Sequence, residues 1–194
     1  VALDVKIINP ETASVEQLDS VQIETKNLSG TFEAATGSLK IELLESPNQI
    51  FVNRKWEKPD KPVINEAVFR KEFPHFAYQN EDEFQNWTVQ KLVHAIDFDT
   101  EKSQNIDLSY LDFEAGKYAL TLATEDQFGT PVEVKKFFEL YDLHDKKPAV
   151  PTVGWHLIKQ STLEPENEAE IYLGTSEKSL PILFEISINL YAII

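Results

Sequence analysis

Four histidines, His75, His94, His144 and His156, are the side chains best suited to hold a transition metal or to pass protons near neutral pH. No two stand four residues apart and none forms a His-x-His pair, so the spacing that brings two imidazoles to one zinc ion is missing. Carboxylates are plentiful. Asp97, Asp99 and Glu101 alternate in "DFDTE", an oxygen-ligand set of the kind Ca²⁺ prefers. A calcium loop also needs a glycine turn and a later bidentate acid, and neither is clear here, so the stretch reads as a strand end entering a polar turn. Glu81 and Glu83 could pair as acid and base, yet among 33 Asp and Glu such spacings arise by chance. "GTSEK" lacks the G-x-S-x-G nucleophile elbow, and no G-x-x-x-x-G-K-[ST] phosphate loop occurs. The expectation is a protein that is not an enzyme and takes no metal or cofactor.

Flat aromatic rings offer a different chemistry. Trp56, Phe76, Tyr78 and Trp87 fall in or beside one irregular stretch. Turned outward together they would make a platform on which sugar rings stack; turned inward they would pin the stretch to the rest of the fold. Inward packing is the expectation, and these four residues are the candidate interaction surface.

The elements that must position them follow from hydrophobic period. "ALDVKII", "SVQIETKN" and "SLKIELL" alternate apolar and polar residues, the pattern of half-buried strands, with the turn "NLSG" between the last two. From about residue 46 to 87 the rhythm breaks into a proline-bearing excursion, with a short helix expected from Asn65 as N-cap to Phe73, where Pro74 ends it. "WTVQKLVHAIDF" reads as a strand, with a helix as the alternative. "GKYALTLATEDQFGTPVEVKKFFEL" is the clearest hairpin: Tyr118, Leu120 and Leu122 face the same way as Val132, Val134, Phe138 and Leu140, and Gly129 supplies the turn. The fold expected is all-β, an immunoglobulin/fibronectin-like antiparallel β-sandwich over residues 1–142 with a long, partly helical insertion at about 46–87. A linker at 143–152 leads to residues 153–194, the opening strands of a second sandwich. There Trp155 and Leu157 are grouped with Ala169, Ile171, Leu173, Ile182, Phe184 and Ile186 as one alternating set.

Composition limits the partners. A formal charge of −15 repels phosphate backbones and anionic lipid heads, which argues against nucleic acid and membrane surfaces. No stretch has the eighteen or so apolar residues of a membrane span, and no basic-then-apolar signal opens the chain. The absence of cysteine removes disulfides, thiolate ligands and thioesters. The start at Val1 without Met, and the apolar end "PILFEISINLYAII", suggest boundaries imposed on a longer polypeptide.

The combination of "VQIETKNLSG", the G-x-Y strand "GKYALTLATEDQFG" with its D-x-F-G turn, and "KKFFELYD" resembles the macroglobulin-like domains of bacterial alpha-2-macroglobulins, particularly the large Bacteroides-type envelope forms. "STLEPENEAEIYLGTS" with "LPILFEI" is similar to the start of a further such domain, although Pro165-Glu166 replaces the Pro-Gly the family often has. The resemblance implies a scaffold module of a protease-trapping inhibitor in the cell envelope, periplasmic or surface-anchored. Its partners would be neighbouring domains of the same polypeptide and, through the whole protein, proteases. The alternative is an adhesin or carbohydrate-binding sandwich that uses the aromatics of the excursion.

Overall fold

The period-two stretches become strands, and their apolar members meet in one interior. The computed structural model describes residues 3–59, 61–159, 168–183 and 185; Pro165, Glu166, Phe184 and Ile186 lie outside them. The fold is all-β with one short α-helix among the described residues. In chain order it comprises β1 (Asp4–Ile8), β2 (Thr12–Ser14), β3 (Ser20–Lys26), β4 (Thr36–Leu44), α1 (Glu66–Glu72), β5 (Val89–Asp99), β6 (Asn105–Asp107), β7 (Gly116–Glu125), β8 (Pro131–Tyr141), β9 (Trp155–Ile158) and β10 (Ile171–Gly174). The strands form a three-stranded sheet, β1-β3-β6, a five-stranded sheet, β2-β8-β7-β4-β5, and the hairpin β9/β10.

The first two sheets share one core. Val21 and Ile23 from the smaller sheet, and Leu39, Ile41, Leu120, Leu122 and Leu140 from the larger, belong to the same buried cluster. Burying each such side chain contributes about 1.5–3 kcal/mol, so their regular spacing is what fixes which face of each strand turns inward. Along β8 the inward series is Val132, Val134, Lys136, Phe138 and Leu140, and the lysine is the exception. Its ammonium group donates to the carbonyls of Ile7 and Asn9 at 3.1 and 2.9 Å, tying the end of β1 to the other sheet.

Between Ile8 and Thr12 the chain changes sheets at Asn9-Pro10. Proline has no N–H to continue the β1 ladder, and the chain crosses to lie beside β8. There β2 runs parallel to it, Thr12 opposite Glu139 and Ser14 opposite Tyr141. The larger sheet is therefore mixed, a departure from the wholly antiparallel arrangement expected.

Two loops repeat one design. In Asn27–Thr31 the Asn27 side-chain oxygen accepts from the backbone N–H of Ser29 and Thr31 at 3.0 and 3.1 Å; in Asp126–Thr130 the Asp126 carboxylate accepts from Phe128 and Thr130 at 2.9 Å each. Gly30 and Gly129 have φ of 79° and 78°, the left-handed conformation that closes both turns. The tips, Leu28 and Phe128, are exposed.

Near those loops sits a polar clasp that the period did not announce. Thr25 and Thr100 are buried with hydroxyls 3.2 Å apart, and the Thr100 hydroxyl accepts from the Ala35 N–H at 2.8 Å. Thr100→Val keeps the shape and leaves that N–H without its partner, so it is expected to cost about 1–3 kcal/mol. Thr100→Ser should retain most of the stability; urea unfolding at unchanged slope checks both.

The β9/β10 register pairs Leu157 with Tyr172 and Trp155 with Gly174. Trp155 and Leu157 thus share a face with Tyr172, while Ile171 and Leu173 occupy the opposite face with Ile158. The single apolar set expected for this hairpin is split across it, because the strands pair one residue out of the phase that the apolar spacing suggested.

Candidate functional site

The excursion between β4 and β5 is where the candidate residues lie. Its helix starts as the sequence prescribes: the Asn65 side chain caps the Ala67 N–H at 2.9 Å, Glu66 occupies the first turn, and Phe73 closes it through a 2.8 Å bond to the Phe69 carbonyl. No residue of α1 is buried, so packing at its edge must hold it. That packing is aromatic. Trp56, Phe76, Phe73, Phe69 and Tyr78 follow one another with ring centroids 6.1, 6.5, 5.3 and 5.4 Å apart, and the Arg54 guanidinium lies 5.2 Å over the Phe69 ring.

The structure thus brings Trp56, Phe76 and Tyr78 into one chain of rings and places Trp87 in another. Trp87 donates its indole N–H to the Glu81 carbonyl at 2.8 Å and meets Phe84, which packs edge-on to Phe137 of β8, with the Lys117 ammonium 4.9 Å from the Phe84 ring centroid. This second group fastens the excursion to the larger sheet. Phe76, Tyr78 and Trp87 are half-buried, whereas Trp56 is 65% exposed. Tyr78 also donates its hydroxyl to the Ile64 carbonyl at 3.1 Å.

The paired carboxylates are brackets. Glu81 accepts from Arg70 and from the Tyr78 N–H, and Arg70 is also bound by Glu66, so two carboxylates raise the pKa of that guanidinium above its ordinary value, Glu81 foremost. Glu83 accepts from Lys58 and Asn86, and Lys58 also meets Asp82 at 2.7 Å. Of the "DFDTE" acids, Asp99 binds Lys102 at 2.8 Å and accepts from the Glu101 N–H, and the lysine chiefly holds its carboxyl below the usual range. The histidines stand apart: His94 contacts the Tyr110 hydroxyl at 3.1 Å, His144 meets Asp142 at 3.0 Å, and His75 and His156 are exposed. Among the described residues no three His, Asp or Glu side chains gather as a metal would require.

Several concavities open among the described residues, and two of them are bordered by these rings or by the β9/β10 hairpin. One, about 300 Å³, is lined by Arg54, Lys58, Pro62, Ile64, Phe69 and Tyr78 among others; the second, about 120 Å³, opens between Tyr141, Pro148, Trp155, Tyr172 and Gly174. Sequence reasoning passed over Arg54. Its signal was rarity, because the chain has only two arginines and this one stands in the run "IFVNRKW".

Compared with protein-family models and with curated proteins, the chain matches none in either comparison.

Proposed function

We propose that this chain is a non-catalytic spacer in an array of β-modules, of the kind its resemblance to bacterial alpha-2-macroglobulins implies, and that it contributes scaffold to a protease trap of the cell envelope. On this reading residues 1–142 are a macroglobulin-like sandwich and β9/β10 begins the next module. The observation that carries the reading is the state of that hairpin. Ile158, Ile171 and Leu173 share one face and are 51, 39 and 47% exposed, while a two-stranded ribbon alone is marginally stable in water. Such a face suits burial against further strands. The hairpin is also fixed in direction: Trp155 packs on Tyr141 at 5.6 Å, and a Cβ on Gly174 would stand 3.1 Å from the Pro148 ring. A joint held this way transmits orientation from one module to the next.

The test uses the longest natural polypeptide that contains this chain. Small-angle scattering and limited proteolysis before and after exposure to a protease should report compaction. A particle of unchanged size after cleavage removes the trap role.

A second reading, a carbohydrate-binding or adhesin module, is favoured by Trp56, whose ring is largely open to solvent above Phe76. Binding to a glycan array that disappears in Trp56→Ala would promote it over the spacer.

A further inference from the structure

We propose that the cavity beside Arg54 is a binding site for a small carboxylate carried on a single ring. The inference is independent of whether the chain serves as a spacer.

Charge is the first observation. The chain carries −15, yet the described residues lining this cavity include Arg54 and Lys58 and no carboxylate. Lys58 is already engaged by Asp82 and Glu83. Arg54 has no ion pair among the described residues, in contrast to Arg70, which has two. An arginine half-withdrawn from water without a counter-charge is costly, and a bound anion would offset that cost.

The guanidinium itself gives the second. It is held in place from two sides, by Phe69 beneath its plane and by a hydrogen bond from Nη2 to the Ala77 carbonyl; Nε is closed off from solvent, and among the described residues the outer nitrogen Nη1 has no acceptor. Rigid placement with donors left over is the arrangement that favours a planar, bidentate oxyanion, since a carboxylate matches the arginine fork and less ordering is lost on binding.

Walls and volume give the third. Pro59, Pro62, Val63 and Ile64 present apolar surface, so the remainder of the ligand meets hydrocarbon. At about 300 Å³ the space stands at the lower end for ligand sites and admits one ring rather than a chain of them. The shared chemistry, a carboxylate on a ring, could come from a sugar acid or from an aromatic acid. The Tyr78 hydroxyl and the side chains of Gln79 and Asn80 would favour the sugar; the prolines and Phe69 would favour the aromatic.

Titration calorimetry of the intact protein with glucuronate and with benzoate separates these sources, with glucose and benzamide as uncharged counterparts and inorganic phosphate as a non-planar anion. The expected result is saturable binding of one carboxylate, with its uncharged counterpart and phosphate each at least about tenfold weaker. Arg54→Lys, which keeps the charge and loses the fork, should weaken binding about tenfold or more. Val63 is 88% exposed at the rim, so Val63→Trp should obstruct the mouth and abolish binding without lowering the melting temperature. That variant decides the matter if Arg54→Lys is unstable. Binding of benzamide or glucose equal to that of the acids, affinity unchanged in either variant, or no saturable heat with either carboxylate would each overturn the proposal.

Discussion

Tyr118→Ala is expected to remove about 3–5 kcal/mol of folding stability, a large part of what an ordinary domain possesses. The side chain is 1% exposed, stacks on Phe138 at 5.2 Å and meets the edge of Phe113 at 5.8 Å. Its hydroxyl donates to the Glu114 carbonyl at 2.7 Å, so truncation both opens a cavity and strands an acceptor. Urea unfolding followed by fluorescence should show the midpoint collapse. The same residue predicts an alkaline effect. Burial pushes the Tyr118 phenol up to about 12 from its ordinary 10. Below pH 10 the group is protonated in both folded and unfolded chains; as pH rises through 10 and then 12 the unfolded chain loses its proton first, and stability falls, by at most about 3 kcal/mol over the whole transition. Tyr118→Phe should lack this contribution. Between about pH 9 and about pH 11.5, wild type should lose about 2 kcal/mol more than the variant does. Parallel losses would show that the phenol titrates as freely folded as unfolded.

The second large effect is expected at a residue with no side chain. A Cβ on Gly37 would stand 2.2 Å from the Ala123 carbonyl oxygen and 3.0 Å from the Phe98 ring. Gly37 lies in β4 between two partners, opposite Thr124 of β7 and Phe98 of β5, so its backbone cannot retreat from one ladder without spoiling the other. Gly37→Ala should therefore cost about 3 kcal/mol or more and lower the melting temperature by roughly 10 °C. Gly154→Ala is the control, since nothing lies within 4 Å of the added atom and its effect should stay within about 0.5 kcal/mol. Equal melting temperatures for the two variants would mean that the sheet yields at Gly37 at little cost.

Much of the framework was legible because a strand buried on one face writes its burial into every second residue. Tyr118, Leu120 and Leu122, with Phe138 and Leu140 opposite, could be read as one face before any coordinate, as could the Asn65 cap and the Pro74 stop of the helix. Period says which residues share a face and nothing about which strand lies alongside. That is why the parallel seat of the three-residue β2 beside β8, and the split faces of β9/β10, were not foreseen. The clasp of Thr25 and Thr100 was equally hidden, since it joins hydroxyls 75 positions apart and each residue alone looks like an ordinary strand threonine. In the excursion no period exists, so the four aromatic candidates could be named but not grouped. Phe69 and Phe73 at the helix, Phe84 in a later turn and Phe137 in β8 decide their grouping from three separate segments, and Arg54 acquires its meaning only from the hydrocarbon gathered around it.

The duplicated five-residue loops have a practical corollary. Each is closed by the side chain of its first residue, the glycine at its fourth and main-chain groups, so the side chains at its crest contribute nothing to closure. Those crests are natural attachment points. A fluorophore, an epitope or a biotin acceptor placed at Leu28 or Phe128 would project into solvent on a stem that keeps its own shape.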